Sequence, residues 1–133
     1  MPHVLIIEDE PTTAWALAEG LSDDGFTIDT FRSAEDACAW LEQGRSDAVI
    51  TDLRLRGMSG LALAKKLARG PHAQPVIVVT AYGGVETETA LKRAGVFEIF
   101  PKPFRMDLLR RALRRALEHS ARRRSAPRRR KAA

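Results

Sequence analysis

The sequence predicts a three-layer α/β domain built on a five-stranded parallel sheet, and three observations carry that reading. Five short apolar runs alternate with five amphipathic segments, the pattern of repeated βα units. Four of the runs are continuous or rich in β-branched residues, as strands buried on both faces must be. Glycines close four of the helical segments, where a left-handed residue ends a helix cheaply.

The elements follow in order. Residues 4–7 (VLII) form the first strand, and Trp15, Leu17, Ala18 and Leu21 place a helix before the stop at Gly25. Residues 26–31 (FTIDTF) alternate apolar and polar, which predicts an edge strand open to solvent on one side. Ser33 caps a second helix carrying Ala37, Trp40 and Leu41, ended at Gly44. The third strand is 48–51 (AVIT), followed by a helix opened by Ser59, with Leu61, Leu63, Ala64 and Leu67, closed at Gly70-Pro71. Strand 76–80 (VIVVT), helix 85–94 with its stop at Gly95, strand 96–100 (VFEIF) and helix 105–119 complete the chain. Parallel neighbours need crossover connections, and right-handed crossovers leave few topologies. For five strands the flavodoxin-like order 2-1-3-4-5 is the common solution, with its ligand crevice beyond the carboxyl ends of strands 1 and 3. Residues 1–119 are thus expected to form one domain, and 120–133 a basic, disordered tail.

Charge divides the chain the same way. Residues 1–104 hold 10 Lys/Arg against 15 Asp/Glu, whereas 105–133 hold 12 against 2, so a mildly acidic domain carries a strongly basic end. Such an end binds nucleic acid or another anionic surface without sequence preference, or docks on an acidic patch. No run approaches the ~18 apolar residues of a membrane span, and the charged start is no signal peptide, so a cytoplasmic protein is expected. The one cysteine, Cys38, has no partner for an internal disulfide and reads as a small apolar helix residue.

The topology demands chemistry after strands 1 and 3, and acids stand there: Glu8, Asp9 and Glu10 after the first, Asp52 after the third. Strands 4 and 5 add Thr80 and Lys102. Taken singly, each has an ordinary explanation: a solvated loop acid, a helix start at Pro11, a strand threonine, a surface lysine. Together, at the correct ends of their strands, they make a set. Convergent carboxylates repel and invite a hard divalent cation, and oxygen ligands that leave room for water suit Mg²⁺. An Asp carboxylate beside that ion can attack a phosphoryl group, while an ammonium and a hydroxyl meet the remaining oxygens.

The segments LIIEDE, DLRLRGMSGLALAKKL, VIVVTAYGG and AGVFEIFPKPF resemble the four signature regions of response-regulator receiver domains of two-component signalling, over about residues 2–118. The resemblance implies Asp52 as phospho-acceptor, and Glu8, Asp9, Asp52 and the Arg54 backbone carbonyl as the Mg²⁺ contacts. It implies Thr80 as the switch hydroxyl, Lys102 as the phosphate-pairing lysine, and a cis bond before Pro103. It further implies a phosphorylated switch and no turnover enzyme, one that assists its own phosphorylation and dephosphorylation. A histidine kinase or histidine phosphotransfer protein is the expected donor. The helix 4–strand 5–helix 5 surface is expected to bind a downstream protein or a second copy of the chain.

Three positions depart from the family pattern. Ile99 stands where an aromatic is common, so either the output is muted or Phe97 and Phe100 supply the bulk. Arg56 replaces a usual proline, which loosens the loop after Asp52, although Gly57 and Gly60 still permit its turn. Arg54 and Tyr82, two residues beyond Asp52 and Thr80, flank the phosphoryl position and would shield it from water. Two rivals stay open: a small Mg²⁺ phosphatase or hydrolase, and a basic nucleic-acid-binding module with a vestigial acidic site.

Overall fold

The computed structural model describes residues 2–22, 25–70 and 73–125. Strands β1 (His3–Ile7), β2 (Thr27–Phe31), β3 (Ala48–Asp52), β4 (Val76–Thr80) and β5 (Glu98–Pro101) alternate with helices α1 (Pro11–Ser22), α2 (Ala34–Leu41), α3 (Gly60–Arg69), α4 (Val85–Arg93) and α5 (Met106–Ser125). The sheet is parallel throughout, in the order β2-β1-β3-β4-β5. This is the flavodoxin-like arrangement that the alternation of runs predicts.

Successive strand residues face opposite layers, so one sheet feeds two cores. Val4, Ile6, Ile50, Ile77 and Val79 pack against Leu17 and Leu21 of α1 and Leu109 and Leu113 of α5. Leu5, Ile7, Val49 and Val78 pack against Ala34 and Ala37 of α2, Leu63 and Leu67 of α3, and Leu91 of α4. Three strands, β1, β3 and β4, are therefore buried on both sides, while β2 at one edge keeps Thr27, Asp29 and Thr30 exposed and β5 at the other is only half-buried, one strand fewer than the apolar runs predict. The serine caps are as the sequence predicts: the Asp36 and Ala62 amides donate to Ser33 and Ser59 Oγ, each at 3.1 Å. Gly25 and Gly95 take φ of +78° and +86° at their helix ends. Gly70 caps α3 through its amide to the Leu67 carbonyl; Pro71 lies outside the described residues.

Two expectations need correction. Trp15 is 66% exposed and takes no part in the stripe through Leu17 and Leu21. It lies two residues from Leu17, about 200° around a helix, so it points away from the sheet. The last helix also runs beyond residue 119, to Ser125, because small side chains extend its packed stripe: Ala112, Ala116 and Ser120 are all buried. The rest of the proposed tail, 126–133, lies outside the described residues. Across the α1–α5 seam the Arg110 guanidinium donates to the Gly20 carbonyl at 2.8 Å, satisfying an orphan acceptor in the last turn of α1. Among the described residues no helix is long and apolar enough to cross a membrane.

Candidate functional site

The chain reverses direction of growth between β1 and β3: β1 continues outward to β2, and β3 outward to β4. Loops leaving the carboxyl ends of β1 and β3 therefore diverge and leave a crevice between them. Glu8 follows β1, held in line by its amide to the Phe31 carbonyl at 3.0 Å. Asp52 is the last residue of β3, with Val79 opposite on β4. Carboxylate oxygens of Glu8, Asp9 and Asp52 lie within 4.8 Å of one another. The third acid of the run is used otherwise. Glu10 caps α1, accepting from the Thr13 amide at 2.7 Å and the Thr12 amide at 3.2 Å, and these bonds hold its carboxyl below the usual range.

Lys102 closes the crevice from β5. Its Nζ lies 3.1 Å from Asp52 Oδ2 and 3.3 Å from Glu8 Oε1. Its amide donates to the Thr80 carbonyl at 2.7 Å, and the bond to Pro103 is cis. Glu8 is only 2% exposed, and its Oε2 has no hydrogen-bond partner. Burial pushes its carboxyl up to about 7, helped by the neighbouring Asp52 carboxylate and opposed by Lys102. For Lys102 burial favours the neutral amine, but the hydrogen bond to Asp52 and both acids outweigh it and raise the ammonium's pKa. The donor set fits a hard cation: carboxylate oxygens only, one of them buried without a partner, crowded enough that a positive charge relieves them.

The structure thus brings Glu8, Asp9, Asp52 and Lys102 together. The Thr80 hydroxyl, 1% exposed, is engaged with its own loop, accepting from the Tyr82 amide at 3.0 Å. The Arg54 guanidinium lies 3.9 Å over the Tyr82 ring, and its amide approaches Asp52 Oδ1 at 3.4 Å. Ile99 packs half-buried on the α4 side of the sheet, whereas Phe97 and Phe100 pack on the α1–α5 side. Neither phenylalanine replaces the missing aromatic.

The residues of the receiver signature are matched from 4 to 114. The chain belongs to the response-regulator receiver family. This receiver is 31% identical over 87% of its length to the transcriptional regulator NtrC of Salmonella typhimurium, and 35% identical over 88% to the C4-dicarboxylate transport regulator DctD of Rhizobium meliloti. It spans 25% of the length of either. It superposes with a TM-score of 0.82 and 26% identity on a receiver-domain protein of Clostridium thermocellum, covering 91% of this chain and 98% of that one. With the Thermotoga maritima response regulator TrrA, solved with Mg²⁺ and BeF, the TM-score is 0.79 at 30% identity, covering 88% and 100%. Receivers are phospho-acceptor switches of two-component systems that bind Mg²⁺ at an acidic site and partner with histidine kinases and downstream effectors.

Two contacts that matter to this receiver escape the sequence reading, one of them at Gly60, which opens α3 without a left-handed φ where the sequence predicts a turn glycine. Glu35, at the start of α2, accepts the Met58 amide at 2.8 Å, and a side chain at Gly57 (φ +78°) would collide with its carboxylate. It tethers the β3–α3 loop where Arg56 gives up the rigidity of proline. No motif announces this contact, because it joins residues on separate elements. Glu35→Ala is expected to lower protection of the Met58 amide from hydrogen exchange by about tenfold and stability by about 1 kcal/mol, an exposed charge-assisted bond being weaker than a buried one. Glu35→Gln, which keeps an acceptor, should restore most of both. The second position, Gly60, allows the close approach of α3 to β3: its amide donates to the Leu53 carbonyl at 2.8 Å, and a Cβ there would strike the Asp52 carbonyl.

Proposed function

We propose that this receiver accepts a phosphoryl group on Asp52 from the phosphohistidine of a histidine kinase or phosphotransfer protein, and that the α4–β5–α5 surface then changes its affinity for a downstream protein or a second copy. The observation carrying this reading is the Lys102 ammonium bridging Asp52 and Glu8 at the carboxyl ends of β1, β3 and β5. An Asp52 carboxylate oxygen bonds to phosphorus as the donor's nitrogen–phosphorus bond breaks, and the imidazole leaves with the electron pair. Lys102 then exchanges its contact with Asp52 for a phosphoryl oxygen, following the charge. Thr80, freed from the Tyr82 amide, donates its hydroxyl to another oxygen. Mg²⁺ held by Glu8, Asp9, Asp52 and the Arg54 carbonyl would neutralise the remaining charge. Ile99 has no polar tip and no ring to reorient, so movement of Thr80 reaches the α4 surface in muted form.

The test is intact mass after incubation with a small phosphodonor and Mg²⁺. One phosphoryl group should be gained by the wild type and none by Asp52→Asn; no gain in either would leave only a vestigial acidic site. The stacked Arg54–Tyr82 pair screens Asp52 from water, so the phosphorylated form should decay slowly. Arg54→Ala with Tyr82→Ala is expected to speed that decay about tenfold, close to 1.4 kcal/mol of barrier. An unchanged half-life would remove any shielding role.

A further inference from the structure

We propose that the outer face of α5 binds the phosphate backbone of double-stranded nucleic acid without sequence preference. Residues 105–133 hold 12 basic side chains, 11 of them arginine, against 2 acids. Structure turns that composition into a face. Leu109, Ala112, Leu113, Ala116 and Ser120 are buried against the sheet, which leaves Arg111, Arg114, Arg115 and Arg122 exposed on the other side, while Arg123 turns back to the Ala73 carbonyl. From Arg111 to Arg122 the helix rises about 17 Å, roughly three turns of guanidinium-bearing surface. Duplex DNA offers one negative charge per ~1.7 Å of axis, so several phosphates lie within that span.

Three further features select the occupant. Arginine forks match phosphate oxygens in pairs, and α5 contains no lysine. The apolar stripe is spent on the domain's own core, so this face has nothing to insert into a lipid bilayer, unlike an interfacial amphipathic helix. Residues 1–104 carry a net negative charge, so a polyanion is repelled by the rest of the molecule and meets α5 first. Glu98, which holds Arg115 at 2.6 Å, and Glu118, exposed among the arginines of the same face, lower its positive charge without cancelling it.

The test uses the full chain and two unrelated labelled 20-base-pair duplexes, with fluorescence anisotropy read between 50 and 200 mM salt. Both duplexes should bind alike, and log affinity should fall linearly with log salt. Arg111→Gln with Arg122→Gln should weaken binding about tenfold at low salt and make that slope shallower by about 2, whereas Arg111→Lys with Arg122→Lys should keep it. Circular dichroism of each variant establishes that the helix is intact. The proposal is overturned by no binding at 50 mM salt, by a slope unmoved in the glutamine variant, or by a strong preference between the duplexes. Phosphatidylglycerol vesicles displacing the duplex at equal phosphate would overturn it in favour of a membrane.

Discussion

Replacing Lys102 with methionine is expected to slow phosphoryl acceptance by at least about 100-fold, the usual effect of deleting one charged contact to a developing anion. The same change should cost about 2 kcal/mol of stability at pH 8, since it leaves buried Glu8 and nearly buried Asp52 facing each other without their cation. Acid should reverse the stability loss. The Glu8 carboxyl titrates at an ordinary 4.5 when unfolded and near 7 when folded, so between those values the folded state holds a proton that the unfolded state has released. Stability contributed by that proton is present in acid and lost as pH rises through 7. Without Lys102 the folded value climbs further and the window extends upward. Urea unfolding in chelator at pH 5 and pH 8 reads both effects, and adding Glu8→Gln should flatten the pH dependence. Equal stability of wild type and Lys102→Met at pH 8 would contradict this account of the crevice.

Gly60→Ala should destabilise the domain by about 3 kcal/mol, the upper range for overpacking, and distort the backbone that carries Asp52. Helix propensity argues the other way, because alanine in a helix is worth up to about 1 kcal/mol over glycine. Sterics prevail, since a Cβ at residue 60 meets the Asp52 carbonyl and lies 3.0 Å from Leu53 Cα, both backbone atoms that cannot swing aside. Gly83 is the control: a Cβ there has nothing within 4 Å, so Gly83→Ala should leave the melting temperature unchanged or slightly raised. A melting point for Gly60→Ala within a degree or two of wild type would show that α3 can shift without cost.

Strand order and the convergent carboxylates were legible in the sequence because both follow from period and position. Apolar runs buried on two faces look alike wherever they occur, and a crevice at the β1–β3 divergence collects whatever ends those strands. Other features had no such local cause. Trp15 reads as core from its type, yet its angle from Leu17 sends it to solvent. The end of α5 hides because alanine and serine continue its packed stripe, and neither marks a buried position by hydrophobicity. Glu35 sits on a polar helix start where an acid already has a reason to be, so its hold on Met58 shows only in three dimensions. Gly60 is visible as a glycine, but its purpose is close approach of two backbones and not an unusual φ.

The hydrogen bond from the Lys102 amide to the Thr80 carbonyl has a mechanical consequence. Lys102 and Thr80, which the proposed function assigns to the phosphoryl group, stand at the ends of paired strands and share this rung, so their backbones cannot drift apart independently. Under the proposed function, phosphorylation of Asp52 would be registered by the β4–β5 seam as one stiff unit. Its response should show one relaxation rate at both residues, where two loosely tethered sensors would show two.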